Sequence, residues 1–236
     1  MRGSVLVLAK APVAGRAKTR LAADLGDDLA AELAAASLLD TLEAGAAAYP
    51  PGRRVLALAG DLHGAACEAG LRAAAADWLV IPQTAPRFAD RIVDGHRQAH
   101  RLAGGPVVQI GMDTPQVHAA LLRGLAELAH DHERPVLGPA VDGGWWVLVT
   151  TQPAQATVLA GVPLSRADTG RLTASALEAA GHPPVLGPLL RDVDEVGDAD
   201  EVAAAAPHSR FARLWREHAG RAGSQAVPVD RDESPG

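Results

Sequence analysis

The chain has 236 residues, 48% of them hydrophobic and 21% charged, with a net charge of −6 at pH 7 and one cysteine. This length buries a substantial core and this balance is that of an ordinary globular protein, which excludes global disorder. The acidic surplus argues against a general nucleic-acid binder, and Cys67 alone can build neither an internal disulfide nor a cysteine zinc site.

Val5-Leu6-Val7-Leu8-Ala9 reads as a buried strand. The apolar run is too short for a signal peptide and no later stretch could span a bilayer, so a cytoplasmic protein without membrane contact is expected. Pro12 and Gly15 then open a loop holding Lys10, Arg16, Lys18 and Arg20, and Lys10 and Lys18 are the only lysines in the chain. A helix is expected from about 27 to 48, stopped by Pro50-Pro51, then a strand over 55–59 and an Ala-rich helix to about 76. Trp78–Ile81 is a third strand, Phe88–Leu102 an amphipathic helix, Pro106–Ile110 a fourth strand and Gln116–His130 a helix. Strands at 135–138 and 145–149 flank the turn Asp142-Gly143-Gly144; a helix near 169–180 and a short strand ending at Asp192–Asp194 follow. Strands spaced by helices imply an α/β fold with a mainly parallel sheet covered on both faces. Residues 1–219 read as one domain and 220–236, rich in Gly, Pro, Ser and charge, as a disordered tail. No heptad seam points to an oligomer.

Three places carry chemistry. The cationic loop follows the first strand, where open α/β sheets bind ligands, and its two ammonium groups suit phosphate oxygens; a solvated turn is the plain alternative. In Ile110-Gly111-Met112-Asp113-Thr114-Pro115, Asp113 stands just past a buried strand and could hold a hard divalent cation, or could cap the next helix. Asp142-Gly143-Gly144-Trp145-Trp146 joins a tight turn to two of the four tryptophans, which could wall a pocket for a base or sugar ring. Asp192 and Asp194 alternate near the end and could share one cation or lie solvated at an edge. Other signals fail. No glycine precedes Lys18 as a P-loop requires, no G-x-G-x-x-G follows the first strand, and no G-x-S-x-G is present. His96 and His100 share a helix face with no third zinc ligand evident, so a solvated face is expected.

In this order and spacing the motifs resemble the bacterial DUF2064 family, which is glycosyltransferase-A-like. Lys10, Pro12, Gly15, Lys18, Thr19, Arg20 and Leu21 match its K-x-P-x-x-G-x-x-K-T-R-L loop. Ile110, Gly111, Asp113 and Pro115 match its I-G-S-D-x-P segment, with Met112 for Ser. Gly138, Pro139, Asp142, Gly143 and Gly144 match its G-P-x-x-D-G-G-Y-Y segment, with Trp145-Trp146 for the tyrosines, and Asp192-Val193-Asp194 matches a late D-V-D. The family is similar to nucleotide-diphosphosugar transferases and to molybdenum-cofactor and phospholactate nucleotidylyltransferases. The resemblance implies a three-layer glycosyltransferase-A fold, a mixed and mostly parallel sheet with helices on both faces. It implies nucleotide phosphates on Lys10, Pro12, Gly15, Lys18 and Arg20, with Arg91 touching substrate or packing its helix. Asp113 and Asp194, joined by Asp192, would hold Mg²⁺ or Mn²⁺. Asp142, Gly143, Gly144, Trp145 and Trp146 would form the substrate pocket, with Asp113, Asp142 and Lys18 as catalytic candidates. The expected activity is a metal-dependent transferase with a nucleotide sugar as donor and a small-molecule acceptor. A nucleotidylyltransferase acting on a nucleoside triphosphate and a non-catalytic nucleotide-binding module are the alternatives.

Overall fold

The structure, a computed structural model, describes residues 2–225. Seven strands form one mixed sheet in the order β3-β2-β1-β4-β6-β5-β7. They are β1 (Ser4–Lys10), β2 (Arg54–Ala59), β3 (Leu79–Pro82), β4 (Val107–Ile110), β5 (Val136–Pro139), β6 (Trp145–Thr150) and β7 (Val185–Leu186). Only β6 runs antiparallel to its neighbours, β4 and β5; every other pairing is parallel. The helices are α1 (Thr19–Leu25), α2 (Asp27–Ala48), α3 (Glu68–Ala74), α4 (Phe88–Ala103), α5 (Ala119–His132), α6 (Thr169–Ala179), α7 (Val196–Ala205) and α8 (Arg210–Gln225), with a 3-10 helix over Pro153–Gly161.

The apolar run of β1 is the spine of the core. The two-residue period of a strand sends Val5, Val7 and Ala9 toward one face and Leu6 and Leu8 toward the other. The first set packs with Ala-rich α2 and with α5 (Leu122, Leu125, Ala126), and the second with α4 (Ile92, Ala99) and the 3-10 helix (Leu159). This is the mixed, mostly parallel sheet with helices on both faces that the resemblance implies. No helix among the described residues is long and apolar enough to cross a membrane.

Four local expectations are corrected. Thr19–Leu25 is a helix rather than loop, buried through Leu21. Asp192–Asp194 is an extended segment outside any strand, and the last strand is Val185–Leu186. The segment after Asp194 forms α7 and α8, which close a third apolar cluster with Leu21 and Leu33 through Val202, Phe211 and Trp215. His96 is fully buried, not solvated: its Nδ1 and His100 Nε2 each lie 2.9 Å from the Thr150 hydroxyl. Helix α8 runs through Gln225, into the stretch expected as a disordered tail from 220, and residues 226–236 of that stretch lie outside the described residues.

Chain order also sets where a ligand fits. After β1 the chain adds β2 and β3 on one side, then crosses to place β4 on the other. Parallel neighbours thus diverge between β1 and β4, the position where open α/β sheets leave a crevice beyond their carboxyl ends. Val7 pairs with Ile110 there, so Lys10 and Asp113 leave the sheet side by side.

Candidate functional site

A cleft of about 770 Å³ lies over this point, a size that suits a nucleotide-sized ligand. Its centre is acidic. One carboxylate oxygen from each of Asp113, Asp192 and Asp194 lies within 4.8 Å of the others. Two features of the chain bring them together: Asp113 follows the end of β4, and the backbone N–H of Val193, from far along the chain, donates to the Asp113 carbonyl at 2.9 Å. With Val193 buried between them, Asp192 and Asp194 face outward from the same extended segment. A strand is therefore unnecessary for the alternation that the sequence suggests.

Lys18 reaches into this cluster. Its ammonium donates to Asp113 at 3.2 Å and Asp194 at 2.9 Å, with the side chain 14% exposed. Burial alone would lower its pKa, but the two carboxylates outweigh burial and hold the ammonium above its ordinary value. The backbone is left-handed at Lys18, φ 48°, a conformation costing a non-glycine residue about 1 kcal/mol or more. Arg20 adds a looser contact to Asp194 at 3.6 Å. One buried cation does not balance the acids: burial first, then the charges of Asp113, Asp142 and Asp194, push the Asp192 carboxyl up to about 7. An all-oxygen donor set with uncompensated negative charge fits a hard divalent cation such as Mg²⁺ or Mn²⁺.

The opposite wall is built on the turn after β5. Asp142 Oδ1 accepts the Gly144 backbone N–H at 2.8 Å, closing the turn. Gly143 has φ 87°, and a Cβ there would stand 1.9 Å from the Ala167 carbonyl oxygen, so only glycine lets the turn meet the 163–169 segment. The pleat of β6 sends the two tryptophans apart. Trp145 donates to the Thr173 hydroxyl at 3.2 Å on one face, and Trp146 donates to the Pro188 carbonyl at 2.9 Å on the other.

The cleft brings together Lys10, Lys18, Arg20, Arg91, Asp113, Asp142, Gly144, Trp145, Trp146, Asp192 and Asp194 from the residues singled out in the sequence. Arg91 also holds the loop before α4, donating to the carbonyls of Ala85 at 2.8 Å and Pro86 at 3.0 Å. Pro12, Gly15 and Gly143 shape the backbone around the cleft without lining it. Four further residues of the cleft belong to no motif in the sequence. Gln83 lines the cleft and clamps strand ends, donating to Ala9 O at 3.0 Å and Ala57 O at 2.7 Å. Ser165, left-handed at φ 59°, and Arg166 lie on the rim. Gln109 lies on the floor, where a glutamine within the apolar run of β4 was the available signal.

Solved structures share this architecture. A provisionally named nucleotide-diphospho-sugar transferase from Desulfovibrio desulfuricans G20 superposes with a TM-score of 0.76 at 22% identity, over 97% of this chain and 100% of that one. A cytidylyltransferase from Leptospira borgpetersenii serovar Hardjo-bovis (strain JB197) superposes with a TM-score of 0.55 at 13% identity, over 97% and 99%. An apo UDP-glucose pyrophosphorylase superposes with a TM-score of 0.51 at 12% identity, over 87% and 98%. At such identities the likeness is one of fold, and it places the chain in the α/β class with the mixed-sheet architecture of these structures. Residues 41–166, more than half of the chain, match the family described as uncharacterized protein conserved in bacteria (DUF2064), and the chain belongs to that family. That stretch contains Asp113 and Asp142, whereas Lys10, Lys18, Asp192 and Asp194 fall outside it. No curated protein sequence matches the chain.

Proposed function

We propose that the chain is a divalent-cation-dependent transferase that takes a nucleotide-activated donor, a nucleotide sugar, and passes its activated group to a small-molecule acceptor. The observation that carries this reading is the meeting of three carboxylates and a buried lysine with exposed cations at one crevice. Asp113, Asp192 and Asp194 would hold Mg²⁺ or Mn²⁺, which supplies charge neutralisation at phosphate oxygens. Lys18 orients Asp113 and Asp194 by bonding both. Lys10, Arg16 and Arg20, exposed on the β1 side of the cleft, bind the diphosphate and stabilise the charge that grows as the bond to the leaving nucleotide breaks. Asp142 keeps one oxygen on the turn and offers the other to an acceptor hydroxyl. Trp145 and Phe88, at the rim, give the donor an apolar wall.

A second reading, nucleotidyl transfer from a nucleoside triphosphate, is favoured by the charge count on the β1 side. Three exposed cations in addition to Lys18 exceed what a diphosphate bound with a divalent cation requires and match a triphosphate. Thermal shift with nucleoside triphosphates and nucleotide sugars, with and without Mg²⁺ or Mn²⁺, separates the readings, together with an assay for pyrophosphate. Stabilisation by a nucleotide sugar supports the first, and pyrophosphate release supports the second. Binding that needs no metal and survives Asp113→Asn overturns the metal assignment.

A further inference from the structure

Beneath the cleft lies a polar chain that the proposed chemistry does not use. Gln109 sits in mid-β4, paired with Leu6 and Leu148, and is only 4% exposed. An uncharged amide among apolar strand residues needs partners, since a buried polar atom left unpaired costs about 1–3 kcal/mol. Yet Gln109 Oε1 is buried with no hydrogen-bond partner, and so is His96 Nε2. The two groups are neighbours: the Gln109 carboxamide partly offsets the effect of burial on the His96 imidazole, yet no hydrogen bond joins them. On its other side His96 is fixed. Nδ1 lies 2.9 Å from the Thr150 hydroxyl, which His100 Nε2 also meets at 2.9 Å. A neutral His96 that accepts from Thr150 at Nδ1 carries its proton on Nε2, facing the amide oxygen. With that oxygen turned inward, the amide nitrogen is the end of Gln109 available to the cleft, whose floor the residue lines beside Leu8 and Ile92.

We propose that Gln109 is a specificity-determining residue of this cleft, donating its amide N–H to an oxygen on the ring of the bound ligand, with His96 as its positioning residue. The ligand chemistry is a carbonyl or hydroxyl oxygen on a base or sugar, and the inference rests on the cleft being a nucleotide site. A ligand that supplies the oxygen draws the amide into line and completes the chain from His100 to the cleft. A ligand that lacks it leaves the amide unpaired beneath the ligand, beside Leu8 and Ile92, so it is rejected.

The test compares the wild-type chain with Gln109→Leu and with the unbranched Gln109→Met, should the leucine variant fold poorly. Affinities are measured by calorimetry in Mn²⁺ for the four common nucleoside triphosphates, a set of nucleotide sugars sharing one base, and pyrophosphate as a ringless probe. Loss of one neutral hydrogen bond predicts a three- to tenfold weaker affinity for the preferred ligand, with its preference over the others collapsing and pyrophosphate affinity unchanged. Loss of discrimination among the triphosphates places the oxygen on the base; loss among the sugars places it on the sugar. His96→Phe should shift the preference in the same direction, and the double variant should discriminate no worse than Gln109→Leu alone, a non-additivity that mere loosening of the core does not produce. Preference kept within twofold in the Gln109 variants overturns the assignment while leaving the nucleotide reading intact. A wild-type chain that binds neither pyrophosphate nor any nucleotide overturns both.

Discussion

Replacing Lys18 with methionine isolates the charge at the centre of the cleft. Methionine keeps an unbranched side chain as far as the ε position and faces the same left-handed backbone, so the strain at φ 48° is unchanged. What is lost is an ammonium between Asp113 at 3.2 Å and Asp194 at 2.9 Å. The three carboxylates, with oxygens within 4.8 Å, then face one another without it. Unit charges at that separation repel by about 3.5 kcal/mol per pair at an effective dielectric of about 20, and by under about 1 kcal/mol in bulk water. Asp113 and Asp194 are 32% and 38% exposed, so solvent screening brings the net cost to about 1–2 kcal/mol. For a chain of this size that is a fall in Tm of about 3–6 °C. Because the ammonium and a divalent cation draw on the same carboxylates, Mg²⁺ or Mn²⁺ at a hundredfold excess over its Kd adds about 2.7 kcal/mol and restores the variant. Differential scanning fluorimetry in EDTA and in Mn²⁺ reads both effects. Lys18→Met should lose stability in EDTA and gain more from the ion than the wild type does. An equal loss in the two buffers would refute the shared-site reasoning.

Three further outcomes follow from the geometry. Lys10→Ala, at an exposed cleft position, should leave Tm nearly unchanged while weakening nucleotide affinity severalfold in low salt, an effect that fades as ionic strength rises. Gly143→Ala must move the Ala167 carbonyl, 1.9 Å from the new Cβ, and should cost more than about 2 kcal/mol in urea unfolding, with ligand binding lost in parallel. His96 makes the fold acid-sensitive: burial, with His100 adding to it, pushes its pKa down to about 3. The unfolded chain therefore takes up a proton near pH 6.5 that the folded chain refuses, so the stability that neutral His96 supports is complete above pH 6.5. It declines by about 1.4 kcal/mol per pH unit toward pH 3. Urea unfolding at pH 7 and pH 5 should show this slope, and His96→Phe should flatten it; a slope unchanged in the variant would contradict the assignment.

Much of this arrangement was legible in residues. Five apolar positions in a row announce β1, and the turn glycines beside Asp142 announce a hairpin, because strand period and turn chemistry are local properties. The place of Asp113 at the sheet edge was legible because it is fixed by the end of β4 alone. The partnership of Lys18 was not. It depends on a left-handed residue opening the seven-residue helix α1 and on an extended segment 176 residues away, neither of which leaves a periodic trace. Helix α8 hid for another reason: its apolar residues are few, and Phe211 and Trp215 stand among arginines. Their burial comes from tertiary contact with Leu21 and Leu33, which a local pattern does not carry. Gln109 shows the limit most plainly, since a lone polar residue in a strand calls for a polar partner without saying which.

The Lys18–Asp194 bond also bears on how the protein is made. It ties the start of the chain to a point just before the last two helices, and α8 is itself anchored on α2, where Asp40 accepts the backbone N–H groups of Arg210 and Phe211 at 3.0 Å each. Contacts of such sequence separation close late in folding, because the loop between them must be ordered first. During synthesis the strands from β1 to β6 can pair while Asp192, Asp194, α7 and α8 have yet to emerge. The acidic centre is therefore completed only once the segment through Asp194 has emerged, and a product truncated before Asp192 lacks two of its three carboxylates.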